Sequence, residues 1–157
     1  MNLNFTNLFL NFRTLWHFIL FLPTTLKKEL TMTAIHEPVN LGDLLKYEES
    51  ALRYSRDVAT VAAGQNLALG CVVSRDTVSG KLKQLDPQAS DGSDTPVGIL
   101  LVATDATLID VEGVLLLSRH AAVASSAVVW PAGISAADKA SATSTLERLG
   151  IVIYQSA

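Results

Sequence analysis

The sequence has little cysteine and no excess of positive charge. Its 157 residues include one cysteine, Cys71, so the chain cannot form an internal disulfide. The thiol lies in the apolar run 71–73, which favours a small buried hydrophobic residue over a reactive one. Lysine and arginine number 12 against 15 aspartate and glutamate residues, for a net charge of −3. Without a basic cluster, we expect no direct nucleic-acid partner.

The histidines do not have the spacing of metal ligands. Of the three, His17 lies near the start, His36 precedes a proline-containing segment, and His120 follows Arg119. No two are close enough in sequence to form a familiar zinc motif, and Cys71 is distant from both His36 and His120. The sequence therefore predicts no metal and no other cofactor.

Catalytic motifs are also missing. Ser125 and Ser126 lack the Gly-x-Ser-x-Gly context of a nucleophile elbow, and no glycine-rich phosphate loop is present. Asp105 and Asp110 would support acid–base catalysis only if both lined one cleft, and turn formation is the favoured role. We expect no enzymatic activity and no small-molecule substrate. A cleft that joined Asp105, Arg119 and His120 would favour the alternative of a ligand-binding or enzyme domain.

The first 31 residues differ in composition from the rest. All five phenylalanines fall within the first 21 residues, whereas every alanine, valine and aspartate and all nine glycines follow residue 31. The former residue types use AT-rich codons, and the latter use codons that begin with G. Lys27–Glu29, shortly before Met32, would also be the in-frame translation of an A/G-rich ribosome-binding site. We expect Met32 to be the authentic start and residues 1–31 to be a mis-annotated upstream extension.

The competing interpretation of this segment is a signal-like or membrane-anchoring sequence. Its longest charge-free stretch after Arg13 is Thr14–Leu26, 13 residues, short of the roughly 20 that span a bilayer. The segment contains no alanine for an Ala-x-Ala cleavage site. A membrane-tethered β protein remains an alternative based on residues 1–26 alone, and we expect no membrane partner.

Residues 32–54 are predicted to form an extended N-terminal arm, and 55–157 a single domain. In the arm, Pro38 and Gly42 interrupt any sustained period, although Asp43–Glu49 could form a short helix. From Tyr54 onward, turn signals at intervals of about ten residues indicate a compact β barrel or sandwich. The predicted strands are Asp57–Val61, Leu69–Ser74, Lys81–Leu85, Val97–Val102, Val111–Ser118, Val123–Trp130 and Ile151–Ile153.

Two segments of this domain carry stronger signals. Val97–Val102 is a nearly continuous apolar run that predicts a strand buried on both faces, and Gly98 within it predicts a bulge or a close backbone approach. Ala136–Leu149 predicts the one helix, because Ser135 can cap its start and Gly150 fits the left-handed C-terminal cap. The fold class is thus mainly β with one C-terminal helix.

Several motifs, in this order and spacing, resemble the head decoration protein family of phage lambda and its prophage relatives. They are Ala63–Leu67, Asp91–Leu100, Ala103–Thr107, Val129–Ile134 and the closing helix with Leu149–Ile151. The resemblance implies a β-clip-like domain that forms a homotrimer on the exterior of the expanded viral head. There it would bind the major capsid protein and stabilise the shell against the pressure of packaged DNA. The implied location is the virion, with assembly in the host cytoplasm.

The resemblance also implies that the arm orders on the shell and pairs with a capsid-protein strand. The candidate apolar contacts of this arm are Val39, Leu41, Leu44 and Tyr47. Trp130, followed by Pro131, is either a residue that caps the core or an anchor at the trimer interface, where tryptophan is enriched.

Overall fold

The computed structural model describes residues 37–49 and 51–155, so the predicted extension 1–31 and the first part of the arm lie outside the described residues. Within the described part, two α-helices are α1 (Leu41–Leu44) and α2 (Ala136–Arg148), with short 3-10 turns at Ala51–Arg53 and Ser125–Ala127. The strands are β1 (Leu45–Glu48), β2 (Arg56–Val61), β3 (Gln65–Leu67), β4 (Val72–Arg75), β5 (Leu82–Gln84), β6 (Pro96–Leu100), β7 (Thr104–Ala106), β8 (Val111–Leu117), β9 (Ala121–Ala124) and β10 (Ile151–Tyr154). The predicted class, mainly β with one C-terminal helix, is confirmed.

Five strands close into a barrel in the order β2-β5-β4-β6-β8. Most neighbours are antiparallel, and β2 with β5 is the parallel pair that closes the cylinder. Strands β3 and β7 form a separate antiparallel pair. Strands β1, β9 and β10 form a three-stranded sheet. The sequence left a barrel and a sandwich as alternatives, and the structure has the barrel. The β-clip-like description of the domain stays a prediction.

Adjacent residues of the barrel strands supply two different cores. Leu100 and Leu116 point into the barrel, while their neighbours Ile99 and Leu117 point outward into a second cluster. Successive side chains of a strand alternate between its faces, so both faces of β6 and β8 are covered here. The second cluster is completed by Leu146 of α2 and by residues of the three-stranded sheet. The prediction that the apolar run of β6 is buried on both faces is confirmed.

Gly98 lies at a crowded point between β6 and β8. A Cβ atom at this position would stand 2.2 Å from the Leu117 carbonyl oxygen. The pairing of β6 with β4 also shifts register beside it, between Val73 and Ser74. The glycine predicted from sequence therefore serves a close backbone approach next to an irregular ladder.

The boundaries of α2 follow its caps. The Ser135 hydroxyl accepts a hydrogen bond from the Asp138 amide at 3.0 Å, and Gly150 adopts the left-handed conformation with φ 78° just past the end. Ala142 and Leu146 are the buried residues of this helix. These details confirm the predicted helix and place its apolar side on the second core cluster.

The predicted strand Val123–Trp130 is wrong after Ala124. Strand β9 ends at Ala124, and a 3-10 turn follows over Ser125–Ala127. This turn lies on Gly70, where a Cβ would stand 2.2 Å from the Ala127 carbonyl oxygen. Val129 then makes an isolated parallel bridge to Cys71. Ala127 and Val128 are buried as the apolar pattern suggested, whereas Val129 is exposed. A close contact with a glycine, rather than regular strand pairing, characterises the backbone here.

Residues 40–48 belong to the folded unit and not to a free extended arm. The Asn40 side chain caps α1 by accepting from the Gly42 and Asp43 amides, and the Asp43 carboxylate accepts from the Asn40 amide in return. Leu44 is fully buried, and β1 then pairs with β9. Of the predicted arm, 37–39 is the described part that precedes these elements without regular secondary structure.

Candidate interaction surfaces

The three-stranded sheet presents one face to solvent. Strand β1 pairs antiparallel and β10 parallel with the central strand β9, which places Tyr47, Ala122 and Val152 in one row across the sheet. Val152 is half exposed, and Tyr154 lies two residues further along the same face of β10. Leu45 and Ile151, on the opposite face, pack against the core.

A β-bulge turns Tyr47 toward solvent. Leu45 pairs with Val123 and Tyr47 with Ala122, so two steps along β1 correspond to one step along β9. Lys46 is the extra residue. In a regular strand without the bulge, alternation would point Tyr47 to the core side together with Leu45. Sequence periodicity could not reveal this, because the bulge exists only in the pairing of the two strands.

All three tyrosines of the sequence lie exposed on this side of the molecule. Tyr47 is 59% exposed, Tyr54 48% and Tyr154 40%. The largest fully buried side chains are, in contrast, all leucine, isoleucine or valine. We name this surface the tyrosine face and define it by Tyr47, Tyr54, His120, Ala122, Val152 and Tyr154. Exposed tyrosines on one face are typical of protein–protein interfaces.

Tyr54 and His120 are held firmly in this face. Their ring centroids are 5.4 Å apart, and the Arg119 guanidinium lies 5.4 Å from the centre of the Tyr54 ring. Arg119 also donates to the Tyr54 carbonyl at 2.8 Å and pairs with Asp57. His120 has a left-handed backbone, φ 45°, a strained conformation for a residue other than glycine.

Buried Ser55 joins the two segments that carry these rings. Its hydroxyl donates to the His120 carbonyl at 2.8 Å and accepts from the Glu49 amide at 2.9 Å. Nearby, Arg56 makes two hydrogen bonds of 2.6 Å to the Glu48 carboxylate, which connect β1 to β2. The hydrogen bond to Glu48 raises the pKa of the Arg56 guanidinium. The tyrosine face is therefore a rigid surface and not a loose loop.

The four arm residues proposed from sequence have different environments. Val39 and Tyr47 are exposed, Leu41 is half-buried against the core, and Leu44 is fully buried in it. In this conformation, Val39 and Tyr47 are the two of these four residues whose side chains are exposed enough to contact a partner. A contact by Leu44 would require it to leave the core, so Leu44 acts here as a structural residue.

Trp130 is half-buried and packs against the second core cluster, the one completed by α2 and the three-stranded sheet. The Lys139 ammonium of α2 lies 5.2 Å from the centre of its ring, a cation–π arrangement. Pro131 is half-buried beside it. These contacts are those of a residue that caps the core, the first of the two predicted roles. The role of Trp130 and Pro131 as a trimer anchor stays a prediction.

Several exposed apolar residues were missed from the sequence. Leu52 is fully exposed at the 3-10 turn after β1, and both Leu52 and Arg53 have positive φ. On the barrel side, Leu108 and Ile109 protrude from the loop between β7 and β8, and Val78 from the turn between β4 and β5. Because these residues lie in short turns and loops, singly or as the pair Leu108–Ile109, no periodic pattern could have identified them.

The acidic residues considered for catalysis make turns. The Asp105 carboxylate accepts from the Thr107 amide at 3.0 Å and from its hydroxyl at 2.5 Å, and the hydroxyl bond lowers the pKa of Asp105. Asp110 accepts from Lys81 at 2.5 Å and from the Ala63 amide at 2.8 Å, which lowers its pKa in the same way. Both carboxylates are thus engaged in fixing loops, as the turn interpretation predicted.

Asp105 does not join Arg119 and His120 in one cleft. It lines a shallow hollow against β8, whereas His120 lines the hollow of the tyrosine face.

Among residues 37–49 and 51–155, no group of three or more histidine, cysteine or acidic residues is placed to hold a metal ion. None of the helices in that part of the chain has the length and apolar character to cross a membrane. Burial raises the pKa of the Cys71 thiol to about 11, as expected for a core residue.

A comparison with models of known protein families assigns the chain to a family. No curated protein matches the sequence. The family model described as bacteriophage lambda head decoration protein D matches residues 34–151, well over half of the chain and nearly all of the described unit. The match includes α1, the barrel, the tyrosine face up to the start of β10, and the closing helix. The chain therefore belongs to the bacteriophage lambda head decoration protein D family.

Proposed function

We propose that this protein decorates the exterior of an expanded phage head as a homotrimer and stabilises the shell against the pressure of packaged DNA. The observation that carries the proposal is the family match over residues 34–151. The partner is the major capsid protein, and the site of action is the virion after assembly in the host cytoplasm. The protein contributes binding energy and no bond-making chemistry.

The segment ahead of α1 supplies one part of the attachment. Residues 32–39 pair as an added strand with an edge of the capsid protein, so that backbone hydrogen bonds give affinity and alternate side chains give specificity. Val39 provides an apolar contact, since its side chain is half exposed. Ordering one such segment costs conformational entropy, and a single arm therefore binds weakly.

Trimerisation overcomes this weakness. Three arms on one particle act at high effective concentration, which raises the overall affinity by roughly 10²–10⁴. Full engagement requires three capsid subunits arranged with matching symmetry, and expansion of the shell creates that arrangement. Trp130 and Pro131 are the candidate anchors between protomers, because both are half-buried at the surface. The folded barrel serves as the rigid body that joins the three attachment points.

Co-sedimentation with expanded heads of the same phage, prepared without this protein, tests the proposal. We expect the full chain to bind as a trimer and to raise the temperature at which the heads break. Deletion of residues 33–39 should weaken binding at least tenfold and leave the fold intact, since α1 and its Asn40 cap are retained. A strict monomer, or full-length protein that stays in the supernatant, would contradict the proposal.

A further inference from the structure

We infer that the tyrosine face is the surface that the folded domain lays on the major capsid protein, beside the strand bound by the arm. The inference rests on the proposed function and adds a second contact area to it. The arm then provides backbone pairing, while Tyr47, Val152 and Tyr154 provide a preformed apolar surface. The shell is held by both at once.

The distribution of aromatic side chains is the first argument. The barrel and the second cluster are filled by aliphatic residues, so folding does not use the tyrosines as core material. Tyrosine offers a large contact area at little cost in conformational entropy and carries a polar hydroxyl that tolerates water. Tyr47 and Tyr54, together with His120, Ala122 and Val152, line a shallow depression that fits protruding side chains of a partner. Tyr154 is exposed two residues beyond Val152 on the same face of the sheet.

The path of the chain is the second argument, and it selects the capsid protein as the occupant. Residues 37–39 lead directly through the four-residue helix α1 into β1. Strand β1 is an edge of the three-stranded sheet and carries Tyr47 on its exposed face. An arm that pairs with a capsid strand therefore starts from the same sheet that bears the tyrosines. Whatever the arm holds is brought next to this face.

Rigidity is the third argument. The left-handed backbone of His120, the Ser55 hydrogen bonds and the Arg119 contacts fix Tyr54 and His120 before any partner arrives. A preorganised surface loses little entropy on binding, so its apolar contacts are converted into affinity efficiently. Pairing of the arm with a capsid strand carries an ordering cost that this face does not. The two contacts are complementary in their energetics.

The test uses the double variant Tyr47→Ser with Val152→Thr in the full chain. Both side chains are exposed, so the free energy of unfolding should change little. The matched control is Val78→Thr with Leu108→Ser, which removes similar apolar surface from two barrel loops where these residues are 93% and 88% exposed. For each protein, binding to expanded heads, the oligomeric state by light scattering, and thermal unfolding are measured.

We expect the tyrosine-face variant to remain a trimer with unchanged thermal unfolding and to bind heads at least tenfold more weakly, while the control binds as the unmodified chain does. Unaltered head binding by the tyrosine-face variant would overturn the inference. Dissociation into monomers would also overturn it, because the face would then be an interface between copies. If the unmodified chain itself does not bind heads, the proposed function fails as well, so the two failures are distinguishable.

Discussion

The barrel and the three-stranded sheet use similar strands for different purposes. In the barrel, β6 and β8 are covered on both faces by aliphatic side chains. In the sheet, one face packs on the core, and the other exposes Tyr47, Val152 and Tyr154. Burial on both faces favours stability, whereas one open face of aromatic residues favours binding. The barrel therefore has the packing of a stabilising core, and we propose that the open face of the sheet is the recognition surface.

The largest effect on stability is expected inside the barrel. Leu100→Ala removes a fully buried side chain that packs with Leu116 and Val73, and it should lower the free energy of unfolding by about 3–5 kcal/mol because a cavity remains. Chemical denaturation measures the loss. Val152→Ala in the sheet is the matched truncation, and a change above about 1 kcal/mol there would contradict the division between the two regions.

Leu44 sharpens the comparison at the boundary between arm and domain. Because its side chain is fully buried, Leu44→Ala should cost about 2–4 kcal/mol of unfolding free energy. Val39→Ala, two residues before the start of the short helix, should change stability by less than about 0.5 kcal/mol, since Val39 is half exposed. Equal stabilities of the two variants would show that residues 40–44 behave as a free arm after all.

The smallest expected effect is on the stability of the protein at low pH. Lys83 donates to the Asp76 carboxylate at 2.6 Å and to the Asp91 carboxylate at 2.9 Å. These contacts lower the pKa of Asp91 to about 2 and hold the pKa of Asp76 well below its usual range. A lowered folded-state pKa stabilises the protein above the unfolded value, about 3.9 for aspartate, and the contribution is lost as the pH falls through the folded value.

Thermal unfolding between pH 5 and pH 2 measures that contribution. Below about pH 4 the unmodified chain should lose stability more steeply than Lys83→Met, in which the two carboxylates titrate closer to their ordinary range. Lys46→Met is the control, because the Lys46 ammonium donates to the Gly42 carbonyl instead of a carboxylate. Parallel pH profiles for Lys83→Met and the unmodified chain would refute the role of this network.

Sequence patterns were sufficient where a local rule decides the structure. The caps at Ser135 and Gly150 located the helix, and the run around Gly98 located a strand buried on both faces. Sequence patterns were insufficient where contacts between distant segments decide the structure. Tyr47 faces solvent because of a bulge opposite β9, and the chain after Ala124 turns because it meets Gly70. The orientation of Tyr47, although the residue was a candidate contact from the sequence, was thus harder to predict than the burial of core residues, since pairing between remote strands determines it.

Hydrogen exchange of the protein, free and bound to expanded heads, tests the central claim most directly. The account predicts that binding increases protection at the arm, β1 and β10, while amides of β6 and β8 are already protected in the free protein and do not change. Protection that appears only in the barrel loops around Val78 and Leu108, with none at β1 or β10, would contradict it.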